Sequence, residues 1–129
     1  MELITFDKTT KKPPVIHSKI PFITINASGK INFSQAAFRM MALSEGDRLI
    51  LHQDATYRSD WYIEITKEEH GYAITIEKTA SRVHCAHPVR QFFKSIGRKD
   101  RKISFLIRDK PFIQNNAKLW VIETKNELK

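Results

Sequence analysis

Between Arg90 and Lys102 the chain places six cations, Arg90, Lys94, Arg98, Lys99, Arg101 and Lys102, against a single carboxylate, Asp100. Phosphate backbones are bound by such point charges and guanidinium forks, with no base-reading chemistry required. Arg90 and Lys94 are four apart and share one face of a helix. The wider charge distribution agrees. Residues 1–70 hold 9 Lys and Arg against 9 Asp and Glu, whereas residues 71–129 hold 13 against 5, so the second half carries the whole net charge of +8. A one-sided basic surface attracts polyanions, with nucleic acid the usual partner. The competing reading is a solvated face that serves solubility.

Other chemistries find less support. His84, Cys85 and His87 form the string His-Cys-Ala-His. A zinc site needs three or four converging ligands, and no second cysteine exists in the chain. On a strand, His84 and Cys85 point to opposite faces. Cys85 beside a histidine is the one nucleophile arrangement available, and its place in an apolar pattern reads as core. There is no Gly-x-Ser-x-Gly, no Walker loop and no dinucleotide fingerprint. We therefore expect no enzyme, no cofactor and no metal. Single-stranded nucleic acid would need exposed aromatics beside the charge, for which Tyr57, Tyr62 and Tyr72 are the candidates.

Which elements position the cations? Residues 1–14, ending in Lys-Lys-Pro-Pro, read as a flexible N-terminal arm. The β-branched run Pro21–Ala27 reads as a strand, broken at Ser28-Gly29, where glycine admits positive φ. Lys-Ile-Asn-Phe (30–33) resumes it. Ser34 is an N-cap, and residues 35–43 a short helix of good formers. Gly46-Asp47 turns the chain into Arg48–Asp54, and a loop leads to the alternating strand Asp60–Thr66. Then the pattern restarts with a strand at 71–78 and a short strand at 81–85. A helix follows at 87–97, with Pro88 in its first turn and Gly97 as its stop. A strand at 102–109, a loop at 110–117 and a strand at 118–124 complete the series. The last five residues read as a frayed end.

The two halves echo one another. Ile23-Thr24-Ile25 matches Ile74-Thr75-Ile76, Lys30-Ile31 matches Arg82-Val83, and Met40-Met41 matches Phe92-Phe93. Leu43 matches Ile96, Asp47 matches Asp100, and Trp61-x-Ile63-Glu64 matches Trp120-x-Ile122-Glu123. We read a duplicated β-β-α-β-β unit, about 20–66 and 71–125, within one domain over 15–129. Strands this short cannot bury a sheet face alone, so two units are expected to wrap into a barrel. Val89, Phe92, Phe93 and Ile96 make an apolar helical stripe that caps it. The expected class is mainly β (α+β).

The stretch from Ser28 to Leu49 resembles the AbrB-like swapped-hairpin domain family. Gly29, Lys30, Ile31, Phe33, Ala37, Met41, Leu43, Gly46, Asp47 and Leu49 occupy matching places. The resemblance implies a pseudo-two-fold swapped-hairpin or double-psi-like barrel, here as a tandem version in one chain. It also implies duplex DNA binding of the kind used in transcriptional regulation. Departures fall in both units: the second lacks the glycine that stands at Gly29 in the first. Ser34 stands where the family has proline, Phe38 where it has arginine, and Asn26 and Ala27 where it carries basic residues. The second unit supplies Arg82 in the place of Lys30, and Arg90 after Val89. The nucleic-acid-binding candidates are therefore Lys30, Arg39, Arg82, Arg90, Lys94, Arg98, Lys99, Arg101 and Lys102.

The expected partner is double-stranded DNA. The rival is a non-enzymatic protein-interaction or assembly module, of mobile-element or phage type, that keeps the barrel without DNA binding. A monomer suffices for folding, and a homodimer would span a longer DNA site. No apolar run approaches the ~20 residues that cross a bilayer, the N-terminus has no signal-like apolar region, and one cysteine precludes an intrachain disulfide. These features point to a cytoplasmic setting without membrane contact.

Overall fold

A computed structural model describes residues 20–77 and 80–128. The expected arm over residues 1–14 lies outside them. The chain folds into a closed eight-stranded antiparallel barrel with two helices and a short extra strand. The elements are β1 (Phe22–Asn26), β2 (Lys30–Phe33), α1 (Gln35–Met40), β3 (Arg48–Gln53), β4 (Trp61–Thr66) and β5 (Tyr72–Glu77). They continue with β6 (Ala80–His84), α2 (Ala86–Ser95), β7 (Lys102–Ile107), β8 (Phe112–Gln114) and β9 (Ala117–Leu128). The ring order is β4-β3-β5-β6-β2-β1-β7-β9, closed by pairing of β9 with β4. Every ladder is antiparallel. Closure removes the open edges that short strands would otherwise present. Among the described residues no helix is long and apolar enough to cross a membrane.

Strand alternation fills the barrel. Ile23, Ile25, Ile31, Ile63 and Leu49 are fully buried, and Phe33, Val83, Phe105 and Ile122 join them. Their sequence neighbours Thr24, Asn32, Arg82 and Ser104 face out, as period two requires. The helices close the ends. β2 starts beside His84, the last residue of β6. Hence α2, which follows β6, leaves from the end where β2 begins, and α1, which follows β2, leaves from the opposite end. Val89, Phe92 and Phe93 of α2 turn inward, and Phe92 stacks against Trp61, Phe93 and Phe105 with centroids 5.4, 6.2 and 5.5 Å away.

Local signals explain the helix ends. The Ser34 hydroxyl accepts from the Ala37 N–H at 3.1 Å and caps α1. Its own N–H reaches the Phe22 carbonyl, which ties the cap to β1. The helix is shorter than the sequence suggests and stops at Met40, because Ala42 adopts φ 51 and the Leu43 N–H bonds back to the Phe38 carbonyl. Gly97 ends α2 at φ 69, with the Arg98 N–H on the Phe93 carbonyl, a glycine C-terminal motif.

Two expectations need correction. The presumed loop at 110–117 contains β8, which returns into β9 through Asn115 and Asn116 at φ 51 and 65. Asparagine tolerates this left-handed region, and two such residues make a tight hairpin turn. The expected frayed terminus is strand, since Ser104 faces Leu128 and Phe105 faces Glu127 after an irregularity beyond Ile107. The longer β9 gives Ser104 and Phe105 of β7 their partners.

Candidate nucleic-acid interface

The β1–β2 turn sets up this surface. Gly29 sits at φ 107, and a Cβ there would lie 2.8 Å from the Ala86 Cα. The Cys85 N–H donates to the Gly29 carbonyl at 2.7 Å, and the Ala27 N–H to the Arg101 carbonyl at 2.8 Å. The turn of the first half is thus wedged between the start of α2 and the α2–β7 connection. That junction brings cations from both halves to one end of the barrel.

On the outer wall, Lys102 faces Asn26, and Lys30 faces His84. With adjacent strands about 4.8 Å apart, the row Lys102-Asn26-Lys30-His84 runs across four strands over about 14 Å. The next row holds Ser104, Thr24, Asn32, Arg82 and Thr75. Its only charge, Arg82, bonds Glu77 at 3.0 Å. On α2 the exposed face is His87, Arg90, Gln91 and Lys94, opposite the buried stripe. Lys99 and Arg101 are exposed in the connection that follows.

The nine candidates therefore separate. Lys30, Arg90, Lys94, Lys99, Arg101 and Lys102 are exposed, form no ion pair among the described residues, and gather at the α2 end. Arg82 lies beside them, already matched with Glu77. Arg39 sits on α1 at the opposite end of the barrel, so it does not join the cluster. Arg98 also drops out as a free phosphate ligand. Its guanidinium grips Asp100 through two bonds of 2.7 and 2.9 Å and Glu127 through a third of 3.0 Å. These bonds hold the Asp100 carboxyl below its ordinary value and push the Arg98 guanidinium further up. Arg98 is a strut between the connection and β9, and it occupies the one carboxylate of the basic stretch.

The remaining sequence candidates have structural roles. The Asp47 carboxylate accepts from the Ser44 N–H at 2.7 Å and meets the Lys67 ammonium at 2.8 Å, so the Gly-Asp exit is a turn lock. Cys85 is buried, and desolvation pushes its thiol up to about 11. His84 is exposed while Cys85 is enclosed, so the two face apart and hold no common ligand. Among the described residues no three histidine, cysteine or acidic side chains gather as metal ligands. Sequence reasoning missed His84, His87, Gln91 and Asn26 as members of the surface. Strand register and the α2 stripe are the signals that place them there.

In comparisons with protein-family models, curated proteins and solved structures, nothing matches this chain.

Proposed function

We propose that the protein binds duplex DNA through the end of the barrel covered by α2, as a barrel of the AbrB-like swapped-hairpin type acting in transcriptional regulation. The observation that carries this reading is the placement at one end of the barrel of six exposed cations, from both halves of the chain, that form no ion pair among the described residues, while Arg98 engages Asp100 and Glu127. Point charges spread over a strand row and a helix face suit a run of backbone phosphates.

The strand order supports the swapped-hairpin part. Exchanging β1 with β5, β2 with β6, β3 with β7 and β4 with β9 converts the ring order into its own reverse. Each half pairs its first hairpin with the second hairpin of the other half. The closing ladder obeys the same exchange, with Trp61 facing Ile122 and Ile63 facing Trp120. A duplication that swaps hairpins accounts for all three facts.

The test is fluorescence anisotropy with random duplex and single-stranded DNA across a salt series. If all six cations neutralise phosphates, the slope of log affinity against log salt reaches about −5. Changing Lys30, Arg90, Lys94 and Lys102 to alanine should flatten that slope by up to about 3–4. Arg39→Ala, on the far end, should leave it unchanged. Absence of duplex affinity at low salt, or equal losses in both variants, would overturn the reading. Preference for single strands would redirect it to exposed aromatics such as Tyr57.

One observation favours the protein-interaction alternative. Ile113 on β8 is 66% exposed beside the half-exposed Phe112. If that patch carries the function, Ile113→Lys abolishes partner capture while the cationic variant does not.

A further inference from the structure

Two histidines stand inside the cationic surface with no bonds of their own. His84 ends β6 and faces Lys30 across the ladder, their Cα atoms about 5 Å apart. It is the end member of the row Lys102-Asn26-Lys30-His84. His87 lies in the first turn of α2. With Arg90, Gln91 and Lys94 it follows the spacing i, i+3, i+4, i+7, which is one exposed helix face. Both rings are exposed, and among the described residues neither makes a side-chain hydrogen bond or an ion pair. His52 differs, since its ring lies 2.8 Å from the Glu64 carboxylate on the β3–β4 wall.

The charges around the two rings are mostly positive or already matched. Lys30 on β2 is the direct neighbour of His84. On the other side, β5 offers Ala73, which precedes the Ile74 that faces Val83. Ala73 faces Arg48 on β3, whose guanidinium bonds the Gly71 carbonyl at 3.1 Å. Glu68, Glu69 and His70 are the titratable groups of the connection leading into β5, and Glu77 at its far end is taken by Arg82. Around His87, the first turn of α2 holds no acidic residue. The β1–β2 turn packed on Ala86 brings only Ala27, Ser28 and Gly29. Ala27 leads by its N–H to Arg101, and Asp100 is taken by Arg98. No carboxylate bonds either ring, so an outside anion is what would favour its charged form.

We propose that His84 and His87 are further phosphate ligands of this surface, engaged as imidazolium cations, so that duplex affinity is coupled to pH. The inference rests on the duplex-DNA reading. Histidine is the side chain whose ordinary charge change falls between about pH 5 and 8. A phosphate brought against the ring favours the charged form, so binding takes up a proton. Linkage then makes affinity rise as pH falls. Lys30 and His84, side by side on neighbouring strands, can grip one phosphate together. His87 extends the cations of α2 by about one turn, or about 5.4 Å, toward the β1–β2 turn. In acid the six free cations of the surface become eight.

The test is the salt dependence of anisotropy with random duplex DNA, at pH 8 and at about pH 5.5, for the wild type and for His84→Gln with His87→Gln. In the wild type the slope of log affinity against log salt is expected to steepen from about −5 to about −7, by about 0.9 for each ring that becomes charged. In the double variant the slope should be the same at both pH values. At about pH 6.5, adding duplex should shift the NMR ring signals of His84 and His87 toward the charged form and leave that of His52 in place. Both substitutions are on exposed side chains, and unchanged Ile103 and Phe105 amide signals verify the fold. Duplex binding with one slope at both pH values, or with unmoved ring signals, overturns this inference and leaves the DNA reading standing. A pH response that persists in the double variant also overturns it, because the protons then go to other groups. Absence of duplex affinity at both pH values overturns the DNA reading and this inference with it.

Discussion

Gly29→Ala should destabilise this protein more than any other single glycine change at a turn, and the size can be worked from the structure. Two penalties add. The first is conformational. The residue sits at φ 107, a region that side-chain-bearing residues avoid at a cost of about 1–3 kcal/mol. The second is steric. The new Cβ would stand 2.8 Å from the Ala86 Cα, 3.1 Å from its Cβ and 3.2 Å from its N. Two of these neighbours are backbone at the start of α2, so no side chain can swing away. Forcing such a contact in a packed site typically costs about 1–3 kcal/mol. The sum is about 2–6 kcal/mol. For a chain of this length, at about 3–5 °C per kcal/mol, the expected fall in Tm is about 6–30 °C.

Gly97→Ala is the matched control. Gly97 has φ 69, but nothing lies within 4 Å of its missing Cβ. It should lose only the left-handed penalty of about 1–2 kcal/mol. Urea unfolding monitored by circular dichroism compares the two at unchanged m-value. The difference between the variants isolates the contact between the first half's turn and the second half's helix. If both variants lose the same stability to within about 0.5 kcal/mol, the close approach of Gly29 to Ala86 is refuted. The junction that assembles the cationic surface would be refuted with it.

Arg98→Ala should lower Tm without changing the salt slope of DNA affinity. Asp100's folded pKa is depressed, so its contribution is present above the unfolded carboxylate value and is lost as pH falls through the folded one. The gap between wild type and Arg98→Ala should therefore narrow as the pH falls, and a gap that widens in acid contradicts the strut. Native Cys85 should resist thiol reagents at pH 8, where a thiol at about 11 is ionised in about one molecule in a thousand, and should react at once in denaturant. Rapid native labelling would contradict its burial. The Ser81 hydroxyl is buried with no hydrogen-bond partner among the described residues, between Phe33 on β2 and Ile76 on β5. Ser81→Ala should raise stability by about 1 kcal/mol, because a desolvated, unpaired group is removed. A loss measured by urea unfolding would mean that a partner is present.

Much of the barrel was legible because its signals are local. Alternation of Ile, Thr and Ile announces a strand, Ser34 announces a cap, and Gly97 announces a stop. The apolar stripe of α2 and the strand faces of Ile63 and Trp120 were readable for the same reason. Register was not. The sequence echo sets Ile23 against Ile74, yet Ile25 faces Ile31 while Ile74 faces Val83. If Ile31 answers to Val83, as the echo has it, Ile25 rather than Ile23 would stand in the place of Ile74. The slip is two residues, which leaves every side chain on its proper face. Alternation cannot detect it, and Ile-Thr-Ile looks the same from either register. β8 was missed for a related reason, since a three-residue strand is too short to show a period.

The site was half legible for a different reason, which is that charge counted along the chain differs from charge arranged on a surface. Arg98 is indistinguishable from Arg90 by sequence, and only Glu127, 29 residues away, reveals it as a strut. Arg39 lies nearer to Lys30 in sequence than Lys102 does, yet the barrel separates the first pair and joins the second through Asn26. The count assigned the basic surface to the second half alone. On the barrel wall, Lys30 enters the row from the first half, and the turn that carries it is packed against the start of α2. A cationic face built across such a junction exists only while the two halves are joined. Any ligand that needs the whole row, rather than α2 alone, therefore binds the closed barrel and stabilises it by mass action.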